Sequence, residues 1–161
     1  VVGETNSNFL PMSIGAGTGV HAWMMEIYFD PSYVSAPTVT RGAIYKYPGN
    51  QTVTGMDFDG TSFFAIVGVT SGDLSGSGCT SSGGVSGEPF ILSLTVSNFH
   101  TTVIDCATFG SNGNDYATDV KFDASGKAIV VGESDSTTGN SYFTETTTLG
   151  GGDIYVWQFT L

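Results

Sequence analysis

A chain of 161 residues with 40% hydrophobic content is long enough to fold as one domain with a core. Its net charge of −11 would repel nucleic acid and anionic membrane surfaces, and no apolar run approaches the ~20 residues of a membrane span. We therefore expect no nucleic-acid partner and no membrane insertion. Charged residues make up only 12% of the chain, and glycine occupies 23 positions, about twice the average share. This composition is typical of an all-β protein in which tight turns join short strands.

One five-residue phrase occurs three times and divides the chain into repeats. It reads Val-Val-Gly-Glu-Thr at 1–5, Ile-Val-Gly-Val-Thr at 66–70 and Val-Val-Gly-Glu-Ser at 130–134. The steps between copies are 65 residues (Val2 to Val67) and 64 residues (Val67 to Val131). A fixed period of this kind marks a repeat architecture, and in each copy the phrase is predicted to be the second strand of a unit.

The three copies predict ten strands, distributed as three, four and three. In chain order they are 1–4, 22–29 and 42–47, then 54–58, 63–69, 88–96 and 101–109, then 115–123, 128–132 and 153–161. Apolar and polar residues alternate clearly in the strand at 115–123, which is typical of a half-buried strand. A four-stranded antiparallel unit repeated head to tail is the organisation of β-propeller blades. We therefore predict one complete blade (about 50–110) between two partial blades (about 1–49 and about 111–161).

The third copy resembles a known repeat family. Its Gly-Ser-Asn-Gly-Asn-Asp-Tyr-Ala stretch at 110–117, Phe-Asp at 122–123, Ser-Gly at 125–126 and Val-Val-Gly at 130–132 are similar to the bacterial-type β-propeller repeat often called SBBP. The Gly-Gly-Gly-Asp-Ile-Tyr-Val stretch at 150–156 is similar to the element before that family's next apolar strand. The second copy departs from the pattern, since Gln-Thr-Val-Thr-Gly stands at its entry. The resemblance implies extracellular or cell-surface display and no shared catalytic residue.

The first copy lacks its strand one and the third lacks its strand four. We expect something outside these residues to complete both ends, because a closed propeller usually has about 4–8 blades. The remainder of a longer chain, several copies in one ring, or neighbouring copies in an open filament would each do so. Edge strands at 1–4 and 154–161 favour self-association by strand complementation.

Four carboxylates recur where strand one meets the following turn, and they are candidate metal ligands. Ca²⁺ takes about six to eight oxygens, and paired carboxylates at a turn could supply some of them. The alternative, which we favour, is that these side chains cap the turns by accepting hydrogen bonds from backbone amides. No other cofactor is predicted. The candidates are Asp57, Asp59, Asp119 and Asp123.

Two cysteines, Cys79 and Cys106, lie in the loop and the fourth strand of the second copy. Their spacing is not that of a metal site. An even cysteine count in a chain poor in lysine fits a secreted protein with a disulfide. Two buried free thiols are the alternative.

Aromatic residues on the third strands are candidate ligand contacts. Trp23, Tyr155 and Trp157 could stack on sugar rings if they were exposed. They alternate with aliphatic residues in a buried-strand pattern, so we favour core packing. Asn50 begins the single Asn-x-Ser/Thr sequon, Asn-Gln-Thr, and is a candidate glycosylation site between two strands.

These observations predict a non-catalytic extracellular or cell-surface module with a structural or adhesive role, self-associating through its sheet edges. A carbohydrate- or ligand-binding propeller with glycan partners is the first alternative. A fragment of a secreted hydrolase is the second, since paired carboxylates suited to glycoside hydrolysis are not singled out by any motif.

Overall fold

A computed structural model of the chain describes residues 1–8, 10, 12–15, 17–32, 34–72, 74, 79, 87–98, 102–110, 113–135 and 152–160. These residues form an all-β structure, and no helix long and apolar enough to cross a membrane occurs among them. Their eleven strands are β1 (Val2–Thr5), β2 (Met12–Gly15), β3 (His21–Tyr28), β4 (Thr38–Lys46), β5 (Gln51–Phe58), β6 (Phe63–Thr70), β7 (Glu88–Thr95), β8 (Asp105–Thr108), β9 (Asp115–Phe122), β10 (Ala128–Ser134) and β11 (Asp153–Phe159).

The strands form three sheets that follow the order of the chain. The first sheet has the order β1-β3-β4-β2, the second β5-β6-β7-β8, and the third β11-β10-β9. All pairings within these sheets are antiparallel except that of β2 with β4. The prediction of an all-β fold built from short, mostly antiparallel strands is confirmed for the described residues.

The first sheet corrects the prediction for the first copy. A strand that the sequence pattern did not predict, β2, pairs in parallel with β4, placing Met12 beside Ala43 and Gly15 beside Lys46. The first unit is therefore neither three-stranded nor wholly antiparallel. This strand does not replace strand one, which would pair with β1 at the opposite edge. Four residues carry too little alternation to predict a strand, and the pairing depends on β4, far along the chain.

The other strands lie where the sequence predicts them, with small differences at their ends. The two largest differences are in β4, predicted at 42–47 and observed as Thr38–Lys46, and in the fourth strand of the second copy, predicted at 101–109 and observed as Asp105–Thr108. Residue 101 lies outside the described residues. Just before this strand, the amide of Ile104 donates to the carbonyl of Ser93, so the chain meets β7 before the ladder begins.

Two hydrophobic clusters hold the sheets face to face. The cluster between the first and second sheets contains Ala22, Met24, Ala43, Tyr45, Tyr47, Ile66, Leu74, Cys79, Phe90, Leu92, Leu94 and Cys106. The cluster between the second and third sheets contains Ala65, Val67, Ile91, Ala107, Phe109, Ala117, Val120, Ala128, Val130 and Tyr155. The second sheet contributes to both clusters because its strands are apolar on both faces, which is typical of a sheet buried between two others.

Candidate functional site

The repeated phrase gives every sheet two distinguishable faces. We call one the forward face, marked by Val2, Val67 and Val131, and the other the backward face, marked by Val1, Ile66 and Val130. Successive residues of a strand point to opposite faces, so equivalent positions in the three copies mark equivalent faces. The forward faces of the first and second sheets pack on the backward faces of the second and third sheets, as the cluster memberships of these residues show.

A glycine and an aromatic residue face each other at the same place in all three sheets. The glycine of each phrase pairs with an aromatic residue of the next strand: Gly3 with Trp23, Gly68 with Phe90, and Gly132 with Tyr155. A Cβ at any of these glycines would lie within 3.0 Å of the facing ring. The ring that lies over the glycine leaves no room for a side chain, which explains why the phrase contains glycine. Such cross-strand pairs of glycine and an aromatic residue are known to stabilise sheets.

Strand one crowds two of these glycines from the other side. A Cβ would lie 1.9 Å from the Thr52 carbonyl oxygen at Gly68, and 1.9 Å from the Tyr116 carbonyl oxygen at Gly132. In both sheets the pairing register shifts here by one residue, which is a β-bulge on strand one. The Tyr155 hydroxyl donates to the Tyr116 carbonyl at 2.9 Å. Burial, and then the charge of Asp115, raise the pKa of Tyr155, so its hydroxyl keeps this proton.

Asp59 caps the turn between β5 and β6. One of its carboxylate oxygens accepts from the amides of Thr61, Ser62 and Phe63 at 2.7–2.9 Å, and the other accepts from the Thr61 hydroxyl. Burial acts to raise the pKa of Asp59, but these amides, Phe63 first, lower it more, to about 2. The carboxylate therefore stays ionised and holds the turn in place.

Asp123 makes the equivalent cap between β9 and β10. It accepts from the amides of Ser125 and Lys127 and from the Ser125 hydroxyl. The hydrogen bonds from Ser125 and Lys127 lower the pKa of Asp123. The same geometry recurs because an Asp-x-x-Gly or Asp-Gly turn follows strand one in both copies.

The other two candidate carboxylates lie between sheets. Asp57 of the second sheet accepts from the Phe122 amide at 2.8 Å and from the Lys121 ammonium at 3.3 Å, both in the third sheet. Burial acts to raise the pKa of Asp57, but the hydrogen bonds from Phe122 and Lys121 lower it more. Asp119 accepts from its neighbouring amide, that of Val120. These contacts make Asp57 a tie between two sheets rather than a partner of Asp59.

The four predicted metal candidates thus fall into two turn caps, one tie between sheets and one local contact. Within the described ranges, no group of three or more His, Cys, Asp or Glu side chains is placed to hold a metal ion. The contacts agree with the turn-capping interpretation for Asp59 and Asp123. Calcium binding by this set stays a prediction.

A disulfide joins Cys79 to Cys106, with their Cα atoms 4.8 Å apart. The structure therefore contains a disulfide and not the two buried free thiols that were the alternative. Both cysteines are buried in the cluster between the first and second sheets. The bridge therefore fixes Cys79, which follows β6 in the chain, against the fourth strand of its own sheet.

The candidate ligand aromatics take part in packing. The Trp157 ring stacks on Phe109 with centroids 4.2 Å apart, and Phe109 meets the Tyr155 ring edge-on at 6.0 Å. Tyr155 is buried, while Trp157 and Trp23 are half-buried. The rings of Trp157 and Tyr155 thus line the interface between the second and third sheets, and a sugar-stacking role for these residues stays a prediction.

Asn50, the glycosylation candidate, lies exposed in the short link between β4 and β5. Its side-chain oxygen accepts from the Val20 amide at 2.9 Å. Since only the oxygen is committed there, the contact leaves the amide nitrogen to carry a glycan. Glycosylation of Asn50 stays a prediction.

Sequence reasoning missed a buried polar pair beside this link. The Gln51 side-chain amide donates to the carbonyl oxygens of Tyr47, Pro48 and Gly49, and its oxygen lies 3.1 Å from Nδ1 of His21. Both side chains are buried, so each needs these partners. The sequence contained a sign of this pair, because a buried glutamine at the start of a strand costs free energy unless its amide is hydrogen-bonded. Here the glycine turn before the strand offers carbonyl oxygens to that amide. His100, the other histidine, lies outside the described residues.

The chain matches no family model, and no curated protein matches it.

Proposed function

We propose that this protein is a non-catalytic extracellular structural module, built from propeller-type blades of the SBBP kind. One observation carries the proposal. Two successive sheet interfaces are formed by the same repeat positions, with Val2 and Val67 contributing the same face and Ile66 and Val130 the opposite face. A scaffold assembled by one packing rule can present variable connections without changing its core.

The arrangement of the first strands supports the blade interpretation. The Thr54 hydroxyl, at the bulge of β5, donates to the Ala117 carbonyl of β9 at 2.8 Å, and Asp57 reaches the Phe122 amide of the same strand. The first strands of the second and third units therefore lie side by side. In a propeller, the first strands of successive blades line the central channel in this way.

The disulfide supports an extracellular location. Disulfides such as Cys79–Cys106 persist in oxidising compartments and are rare in the cytosol. The acidic composition and the exposed side chain of Asn50 are consistent with this location. In this role the protein stiffens a surface or matrix.

A scaffold must respond to stress as one unit, and the two tryptophans test this directly. Trp157→Phe leaves Trp23 to report on the first sheet, and Trp23→Phe leaves Trp157 to report on the interface of the second and third sheets. We expect both fluorescence signals to change at the same urea midpoint, and circular dichroism to follow them. Separate transitions would show independently folding sheets and would contradict a stiff scaffold.

A second measurement tests the absence of a ligand function. The intact protein is screened on a glycan array and against soluble polysaccharides, with Trp157→Ala as the matched variant. The structural proposal expects no specific binding and no release of reducing sugar. Binding that Trp157→Ala abolishes, while the fold is kept, would replace the structural function by carbohydrate recognition.

A further inference from the structure

The packing rule leaves two sheet faces that meet no other sheet among the described residues. These are the forward face of the third sheet and the backward face of the first sheet. The equivalent faces of the second sheet are both covered, the forward one by the third sheet and the backward one by the first. The two open faces are therefore the two halves of an interface that the molecule already forms twice.

The forward face of the third sheet exposes several apolar side chains, with Glu133 lying among them. Val131, the equivalent of the fully buried Val67, is 36% exposed. Beside it in the pairing register lies Val156, which is 65% exposed, and on the same strand Ile154 is 82% exposed. Tyr116 is also exposed, and it lies on the same face because it pairs with Glu133 across β9 and β10. Contiguous exposed apolar residues on a sheet face mark an interaction surface more often than isolated ones do.

The backward face of the first sheet matches it. Its strands present Val1, which is 57% exposed and pairs with Met25, and Val39, which is 53% exposed and pairs with Ile27. None of these side chains is charged. Leu10 covers the neighbouring part of this face, since its side chain lies against Gly42. A partner would therefore contact mainly β1, β3 and the exposed end of β4.

We infer that the forward face of the third sheet binds the backward face of the first sheet of a second copy of this chain, head to tail. The inference rests on the proposed structural function and gives it a partner and a surface. This contact joins sheet faces, whereas self-association through strand edges stays a separate prediction. Two copies contain six sheets, which lies within the range of about 4–8 blades that close a propeller, so we expect a pair. Heterologous contacts that do not close would instead give longer chains of copies.

Charge sets the conditions for this contact. Each copy carries a net charge of −11, so two copies repel each other at low ionic strength. Apart from Glu133, the named face residues are apolar, and their attraction survives salt that screens the repulsion over about 10 Å at 0.1 M. We therefore expect association to strengthen as salt is raised, which is opposite to the behaviour of a contact held by ion pairs.

The experiment measures the mass of the intact chain in solution by light scattering and sedimentation, across protein and salt concentrations. We expect particles of about twice the 16.7 kDa chain mass, or larger ones, with at least tenfold tighter association at high salt. A particle that stays at the mass of one chain at every condition overturns the inference. Because it would leave the coincident unfolding of the sheets untouched, this failure is distinguishable from failure of the proposed function.

Three lysine variants at exposed positions locate the contact. Val156→Lys places a charge on the forward face and Val39→Lys on the backward face, and each is expected to weaken self-association at least tenfold. Val34→Lys is the matched control, because Val34 is 85% exposed in the connection between β3 and β4 and belongs to neither face. Circular dichroism and the unfolding midpoint of each variant show whether the fold is kept.

Mixing two variants tests the head-to-tail geometry. Val156→Lys keeps an intact backward face and Val39→Lys an intact forward face, so equal amounts of the two should form a one-to-one pair that neither forms alone. If Val39→Lys alone self-associates like the unmodified chain, forward faces bind each other and the head-to-tail inference is wrong. If Val34→Lys weakens association as much as the face variants, the contact lies elsewhere and the inference is equally overturned.

Discussion

The two interfaces between sheets share their apolar positions but differ in their polar contacts. Between the second and third sheets, Thr54 and Asp57 of strand one reach the backbone of β9. Between the first and second sheets, Arg41 of β4 donates to the carbonyl oxygen of Val96 at 3.1 Å and is paired with Glu26. The first sheet has no strand one in the described residues, so its polar contacts come from β4 and from His21 of β3, whose Nδ1 lies 3.1 Å from the Gln51 side chain. The apolar repeat therefore sets how sheets stack, while each interface finds its own polar contacts.

The largest expected effect comes from adding one methyl group to the glycine of the phrase. In Gly68→Ala, the new Cβ would lie 1.9 Å from the Thr52 carbonyl oxygen, so the backbone of strand one must move. We expect urea denaturation to show a loss of about 3 kcal/mol or more in the free energy of unfolding.

Gly3→Ala is the matched control for this glycine. Its Cβ would meet the Trp23 ring at 2.6 Å, and a side chain can shift more easily than a strand. We expect a loss of about 1 kcal/mol, because alanine partly offsets the clash through its lower chain entropy. Equal losses at Gly3 and Gly68 would show that the bulged strand one does not set the cost.

Removing the disulfide should weaken the side of the molecule that faces the first sheet. The bridge spans a sequence separation of 27, and closing such a loop contributes about 3 kcal/mol. The double variant Cys79→Ser with Cys106→Ser should lose about that much, measured by urea denaturation under non-reducing conditions. An unchanged midpoint would show that the bridge does not hold the loop against β8.

The two turn caps allow a comparison of the second and third sheets. Asp59→Ala removes hydrogen bonds to three amides and one hydroxyl, and we expect a loss of about 1–2 kcal/mol in the free energy of unfolding. Asp123→Ala removes hydrogen bonds to two backbone amides, the Ser125 hydroxyl and, at 3.4 Å, the Gln158 side chain. Because one backbone amide fewer loses its acceptor, it should cost less. Thermal denaturation of both variants at neutral pH measures the difference, and a larger loss for Asp123→Ala would contradict the ranking.

The turn cap at Asp59 should also make the stability of the protein depend on pH in the acid range. The pKa of Asp59 is about 2 in the folded chain against 3.8 for an ordinary aspartate, so between these values the unfolded chain binds more protons. The contribution of Asp59 is therefore complete above pH about 4 and is lost as the pH falls through about 2. Denaturation between pH 2 and 5 should show this slope, and Asp59→Ala should reduce it. An equal slope in both proteins would contradict the assignment.

The smallest expected effect concerns the hydrogen bond between the second and third sheets. Thr54→Val leaves the Ala117 carbonyl without the Thr54 hydroxyl, and we expect a loss of about 1 kcal/mol. Thr118 occupies the equivalent bulge in the third sheet and is exposed, so Thr118→Val is the matched control and should change little. Similar effects at both positions would show that this tie adds nothing to the stack.

Much of the strand pattern could be predicted from sequence because it depends on local signals. Alternating residues define β9, a continuous apolar run defines β6, and the repeated phrase gives the register between copies. The glycine–aromatic pair could also have been predicted, since Trp23, Phe90 and Tyr155 each follow the phrase at nearly the same distance. The strand β2 could not, because its partner is chosen by tertiary contact.

The candidate carboxylates show the limit of reading a repeat by residue type. Asp57 and Asp59 lie two positions apart, yet one joins two sheets and the other caps a turn. The position equivalent to Asp57 in the third sheet is Lys121, its own partner across the interface. A pattern of repeated acids therefore looks like a ligand set, although the structure divides it between different tasks. Whether an aspartate caps a turn or joins two sheets depends on the residues of the neighbouring sheet, and the sequence around the aspartate does not show which role it has.

The parallel strand β2 has a consequence for the order of folding. Every other pairing in the first sheet joins β3 to a neighbour in an antiparallel arrangement, and β3 and β4 form a hairpin that can close early. Met12–Gly15 has no edge to join until that hairpin exists, and its pairing with Ala43–Lys46 closes a long loop. The pairing of β2 with β4 should therefore be the last to form in the first sheet. Until then, β4 exposes a row of backbone groups, so newly made chains are most vulnerable to wrong pairing during the interval before β2 docks.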